Sequence, residues 1–148
     1  MIITSTWTKN MAAPKILIDT NVVLDVLQAR EPFYEASKRL LAAAETGRVQ
    51  GMIAAHTVTT LFYLISKDKS TGHARATITN LLQFLKVASV DQSTIEQALN
   101  LSYPDFDDAV QMMSAAQSKC DFLISRNTDD FKPALLPVLS PVDFLTAL

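Results

Sequence analysis

Cysteine, glycine and long apolar runs are all scarce in this 148-residue chain. Cys120 is the only cysteine, so no intrachain disulfide can form and a secreted, disulfide-stapled scaffold is excluded. Three glycines are too few for a glycine-rich phosphate loop. No apolar stretch approaches the roughly 18 residues needed to span a bilayer. The opening MIITSTWTKN carries neither a basic leader nor an apolar core of signal-peptide length. A cytoplasmic protein without a membrane partner is expected. An excess of positive charge is missing too: 13 basic against 15 acidic residues leave a net charge of −2, so bulk charge cannot hold nucleic acid. A local patch remains allowed, and Lys67, Lys69, His73 and Arg75 form the best one.

What is present is apolar and periodic. With 49% apolar residues the chain has the composition of one globular domain with a sizeable core. Residues 1–13 show no useful period and are expected to form an N-terminal extension, with the domain at 14–148. Ile16, Leu17 and Ile18 read as a strand buried on both faces, ended by Asp19-Thr20-Asn21 and followed by a helix. Pro32 is expected in the first turn of a second helix that packs Phe33, Ala36, Leu40, Leu41 and Ala44 inward, with Gly47 as its C-cap. Gln50–Ala54 reads as a strand and His56–Lys67 as a helix. Ala74, Ile78, Leu81, Leu82 and Leu85 mark a further helix, and Val87–Val90 a strand. Asp91 or Ser93 caps a short helix. Asp105–Lys119 reads as a helix with Phe106, Ala109, Val110 and Met113 inward. Phe122–Ile124 reads as a buried strand, Pro137–Leu139 as an edge strand, and Ser140-Pro141 as a helix start. This alternation predicts a single three-layer α/β/α domain with a parallel sheet of about five short strands. Ligands in such sheets bind beyond the C-terminal strand ends.

The chemistry-bearing residues are mostly aspartates. There are eleven Asp and four Glu, and seven of the Asp lie between Asp105 and Asp143. Asp19 stands at the tip of the first strand, where it either caps the next helix or points into a cleft. Asp105, Asp107 and Asp108 crowd one helix start. The helix dipole accommodates one or two acids there, at about 0.3–1 kcal/mol each. Asp105 and Asp108, three apart, are expected to share a face, with Asp107 turned away. A divalent cation would relieve their repulsion, and Mg²⁺ wants oxygen ligands and usually keeps several waters, so two or three Asp suffice. Ser125–Asp130 follows the last buried strand, on the same sheet edge as Asp19. It reads as an Asx-type turn that offers Asn127, Asp129, Asp130 and, for a phosphate, Arg126. No Ser–His–Asp arrangement is readable. His56 and His73 read as cap or solvent-facing residues, Cys120 as a small buried residue, and Met112 and Met113 as packing residues.

Three runs, KILIDTNVVLDVL, DFDDAVQMMSAA and DFLISRNTDDF, together resemble the PIN domain. This is a ribonuclease family that includes the toxin half of many prokaryotic toxin–antitoxin pairs. The resemblance covers nearly all of residues 15–148, the ending LSPVDFL included, and the order of three acidic blocks carries it. It implies a ring of acids that binds Mg²⁺ or Mn²⁺. The first acid of that ring falls on Asp19, a second on Asp108, and an extra acid one turn earlier on Asp105. The acid expected after the last buried strand falls on Asn127, and a Glu expected after the second strand falls near Thr60. Neither is an acid here, and Asp130 is placed to compensate for Asn127.

The resemblance therefore implies a metal-dependent endoribonuclease, with Asp19, Asp108 and Asp105 as metal ligands. Asn127 and Asp130 would orient water, and Thr20, Asn21 and Arg126 would contact the phosphate. RNA, a small antitoxin protein and a second copy of the chain are the implied partners. The alternative is a degenerate PIN module that binds RNA or protein without cutting. A third possibility, an aspartate-nucleophile phosphatase, wants an acid two residues after Asp19, where this chain has Asn21.

Overall fold

A computed structural model describes residues 13–148; the extension expected at 1–13 lies, except for Ala13, outside the described residues. Five parallel strands carry the fold: β1 (Lys15–Ile18), β2 (Gln50–Ala54), β3 (Leu85–Ala88), β4 (Phe122–Ile124) and β5 (Val138–Leu139). The helices are α1 (Thr20–Leu27), α2 (Tyr34–Glu45), α3 (Ala55–Asp68), α4 (Thr71–Leu81), α5 (Gln92–Ala98), α6 (Phe106–Gln117) and α7 (Pro141–Ala147). The strand order is β3-β2-β1-β4-β5, with Ile16 paired to both Gly51 and Phe122, and Ile18 to Ile124.

Alternation along β1 sorts the core into two layers. Ile16 and Ile18 pack with α1–α4 and α7 on one face, whereas Leu17 packs with Ala54, Leu123 and the apolar face of α6 on the other. Both faces are covered, which is why these strands read as continuous apolar runs. The α/β/α reading holds.

The local signals behave as expected at most ends. Gly47 takes φ +82, and after α2 the Gly47 and Arg48 amides return to the carbonyls of Ala44 and Ala43. Asp91, rather than Ser93, caps α5, in a reciprocal box with Thr94. Ser140 accepts from the Asp143 amide and Pro141 opens α7.

Three expectations differ in particular. Pro32 stands in the turn before α2, which begins at Tyr34. Phe106 is 44% exposed, because it opens α6 at the rim rather than over the sheet. Leu85 belongs to β3, not to α4, and the strand runs two residues earlier than its apolar pattern suggests. The reason is its partner across the sheet, Gly51, which leaves room for it: a Cβ at Gly51 would stand 2.6 Å from Leu85 Cδ2 and 3.1 Å from Ala44 Cβ.

The strand order reverses between β1 and β4, so the crevice of this sheet opens at their C-terminal ends, at Asp19 and Ser125. The Gly51 fit is testable. Gly51→Ala should destabilise the domain by about 1–3 kcal/mol through overpacking, measured by urea unfolding. The double variant Gly51→Ala/Leu85→Ala should cost less than the sum of the singles.

Candidate active site

Asp19 is held by the sheet itself. Its amide donates to the Ile124 carbonyl at 3.0 Å, extending the β1–β4 ladder by one residue. Its side chain, 3% exposed, therefore emerges between the two strands rather than capping α1. Gln111 Nε2 donates to Oδ1 at 3.0 Å and Ser125 Oγ to Oδ2 at 2.9 Å. Burial raises the Asp19 carboxyl above its ordinary pKa. The Gln111 and Ser125 hydrogen bonds and the Asn21 amide oppose that rise, and the Asp107 charge adds to it.

The acids of α6 divide into different tasks. Asp105 is the exposed N-cap of α6, extended at φ −107 and ψ 116, and its Oδ1 accepts from the Asp107 amide at 2.8 Å. Asp105 thus lies outside the helix, so the expected helical face shared with Asp108 is not how the two meet. Asp108 is nonetheless crowded. Burial, then the charges of Asp105, Asp19, Asp107 and Asp130, push its carboxyl up to about 7.

Asp107, expected to turn away, faces inward. Its Oδ1 accepts from Gln111 Nε2 at 3.0 Å and lies 3.4 Å from His56 Nε2. His56, then Gln111, draw its pKa down against the effect of burial. The face was misjudged because Gln111, four residues on, is itself a site residue and carries Asp107 with it.

The other sequence-predicted residues fall as follows. Asp130 is exposed at the end of a 3₁₀ turn (Thr128–Asp130), within electrostatic reach of Asp108. Asn127 is exposed and its amide donates to Ser125 Oγ at 3.0 Å. The Thr20 hydroxyl meets that of Thr57 at 2.9 Å. Asn21 lies partly buried in the first turn of α1. Arg126 turns away from the acids. Its Nε is 3.1 Å from Asp25 Oδ2 and its guanidinium lies 4.1 Å over the Phe33 ring. Arg30 flanks the same fully buried Asp25 at 3.7 Å. Burial raises the Asp25 carboxyl, and Arg126 and then Arg30 counter it. Thr60 returns its hydroxyl to the His56 carbonyl at 3.2 Å, so the positions of α3 that join the site's network are His56 and Thr57.

Sequence reasoning missed Gln111, Ser125, Thr57 and Asp25. Gln111 and Asp25 had a signal: a polar residue inside an otherwise apolar run. Such residues are buried only when satisfied, so each implies a partner.

The donors here are carboxylate oxygens, the type a hard cation prefers. Among the described residues, no three His, Cys, Asp or Glu side chains converge enough to cage a metal ion. The set suits a hydrated ion on one or two carboxylates. The Asp19 carboxylate, with about four lone-pair sites, keeps acceptor capacity beyond Gln111, Ser125 and the Asn21 amide. The raised Asp108 carboxyl reflects its burial and the negative charge gathered around it.

A family model for the PIN domain matches residues 15–129. The chain belongs to that family. Several solved structures share the fold. A toxin–antitoxin complex from Klebsiella pneumoniae superposes with a TM-score of 0.65 at 23% identity, over 85% of this chain and 97% of that one. FitAcB from Neisseria gonorrhoeae gives 0.62 at 19%, over 86% and 98%. The Mycobacterium tuberculosis toxin VapC20, which cleaves the sarcin–ricin loop, gives 0.58 at 20%, over 73% and 86%. No curated protein sequence matches the chain. Among the described residues, no helix is long and apolar enough to cross a membrane.

The electrostatics give a testable sign. Asp108 binds its proton more tightly folded, at about 7, than unfolded, near 3.8. Its contribution to stability is therefore full below pH 4 and is lost as pH rises through 7. In the absence of divalent ions, Asp108→Asn should flatten that fall. The variant should unfold at a higher temperature than the parent at pH 8 and closer to it at pH 4.5, read by circular dichroism.

Proposed function

We propose that this PIN domain is a metal-dependent endoribonuclease, the toxin of a toxin–antitoxin pair. One observation carries the proposal: Asp108 lies within electrostatic reach of Asp105, Asp19, Asp107 and Asp130 beside the switch point of the sheet, and burial, then those charges, push its carboxyl up to about 7. A cluster with that surplus of negative charge attracts a cation and repels bare RNA.

Asp19 and Asp108 would hold Mg²⁺ or Mn²⁺, with Asp105 beside them. When bound, the ion supplies Lewis acidity toward a phosphodiester and neutralises its charge. Asn127 and Asp130, both at the exposed edge, orient water. Of the three residues expected on the phosphate, Thr20 and Arg126 are engaged with Thr57 and Asp25. That leaves Asn21 as the direct contact, with Arg126 fixing the loop that carries Ser125. The solved relatives include toxin–antitoxin complexes, some bound to DNA, which supports an antitoxin as partner. The toxin reading also brings a homodimer and a cytoplasmic setting.

The second reading, a PIN module that binds without cutting, draws on Thr60 and Asn127, where a fuller acid ring would add charge. Fewer carboxylates weaken the attraction for a hard cation. Asn127→Asp and Thr60→Glu should each tighten Mg²⁺ binding in calorimetry, while the parent alone binds weakly and gains occupancy with RNA present.

The activity test is RNA cleavage with Mg²⁺ or Mn²⁺, with and without chelator. Asp19→Asn and Asp108→Asn should each lower the rate by at least about a hundredfold, the upper limit for groups that merely support a ligand, and leave the fold intact. A parent that binds metal and RNA yet cuts no RNA would favour the non-catalytic module.

A further inference from the structure

Gln111 is 1% exposed, and its carboxamide is used at both ends. Oε1 accepts the Thr20 amide at 3.3 Å, and Nε2 donates to Asp19 Oδ1 and Asp107 Oδ1, both at 3.0 Å. The two ends of an amide are chemically unlike. Turned over, the oxygen would face two carboxylates and the NH₂ group would face an N–H. The three partners therefore admit one sense only. Asp107 matters because it takes the second N–H, which would otherwise be buried without a partner.

The geometry points to Gln111 as the positioning residue of the acidic site: it fixes the Asp19 carboxylate, and Asp107 is the anchor that fixes Gln111. Ser125 secures the second Asp19 oxygen at 2.9 Å, so the carboxylate is held from α6 on one side and from the β4 end on the other. The surroundings of Asp107 fit an anchor better than a ligand. It lies in the first turn of α6, and the same Oδ1 that receives Gln111 stands 3.4 Å from His56 Nε2. Gln111 also separates Asp19 from Asp107 by a neutral donor, where direct approach would set two carboxylates against each other.

This inference rests on the reading that Asp19 holds a divalent cation. Groups that hydrogen-bond a ligating carboxylate typically contribute 10–100-fold to metal affinity. The test uses Mn²⁺ alone as probe, on the full chain without RNA, with binding followed by water-proton relaxation up to millimolar ion. Gln111→Leu and Asp107→Ala should each weaken Mn²⁺ binding about tenfold or more. The double variant should be no weaker than Gln111→Leu alone, because Asp107 acts through the amide. Asp107→Asn, which keeps an acceptor oxygen and removes only the charge, should recover most of what Asp107→Ala loses.

Asp107→Asn binding as poorly as Asp107→Ala would overturn the inference, since charge and not position would then be the cause. So would additive losses in the double variant, or a folded Gln111→Leu chain with parental affinity. Should Gln111→Leu fail to fold, the two Asp107 variants, at a half-exposed helix start, decide the matter. A parent that binds Mn²⁺ but cuts no RNA sinks the nuclease reading and leaves this comparison standing. A parent that cuts RNA while the Gln111 and Asp107 variants bind Mn²⁺ unchanged sinks this inference alone. A parent that binds no Mn²⁺, with or without RNA present, overturns both.

Discussion

A carboxylate buried at the end of the central strand is the constraint around which this molecule is arranged. Removing an ionised group from water costs several kcal/mol unless hydrogen bonds replace the lost hydration. Asp19 cannot leave that position, because its own amide is part of the β1–β4 ladder. Partners must therefore come to it. Ser125 arrives because β4 pairs with β1 in register, Ile18 with Ile124, so that Ser125 follows β4 as Asp19 follows β1. Gln111 arrives because α6 lies over the same sheet face as Leu17. The site is thus a consequence of strand register and helix placement together, and moving either would leave Asp19 charged and unsolvated.

Much of this was legible in the sequence because it depended on local rules. Fully apolar triplets such as Ile16–Ile18 and Phe122–Ile124 identify buried parallel strands, since covering both faces of a sheet leaves no polar alternation. Gly47, Ser140 and Asp91 announce helix ends through backbone chemistry that needs no tertiary knowledge. The place of Asp19 follows from the rule that crevices open beyond strand ends at a switch point.

The rest depended on contacts between distant segments. Leu85 sits in a strand because of Gly51, 34 positions earlier. Asp107 faces the site because of Gln111, which in turn faces Asp19, 92 residues away. Helical spacing could not show that, because it ranks residues by their faces on one helix and ignores what packs on it. It also misled at Asp105, whose extended backbone places it outside the helix. Asp25 shows the same limit. A charged residue amid the apolar residues of α1 demands a buried partner, and only the fold reveals that the partners are Arg126 and Arg30.

That last cluster explains how an acidic crevice survives next to an arginine. Arg126 directly follows Ser125, and a guanidinium free to swing toward Asp19 would neutralise the negative field of the crevice. Asp25 prevents this by drawing the side chain into an ion pair on the α1 side, with the Phe33 ring packed against the guanidinium. Such a pair contributes little to stability, since desolvating Asp25 offsets most of the attraction. Its effect is on charge distribution. Two guanidiniums meet one carboxylate beside α1, while the charges of four other carboxylates act on Asp108 at the crevice. Opposite fields thus lie close together in a chain whose net charge is only −2. Net charge is therefore a poor guide to what this surface attracts. The acidic crevice and the flanking Asp25–Arg30–Arg126 group are local features of opposite sign that the sum hides.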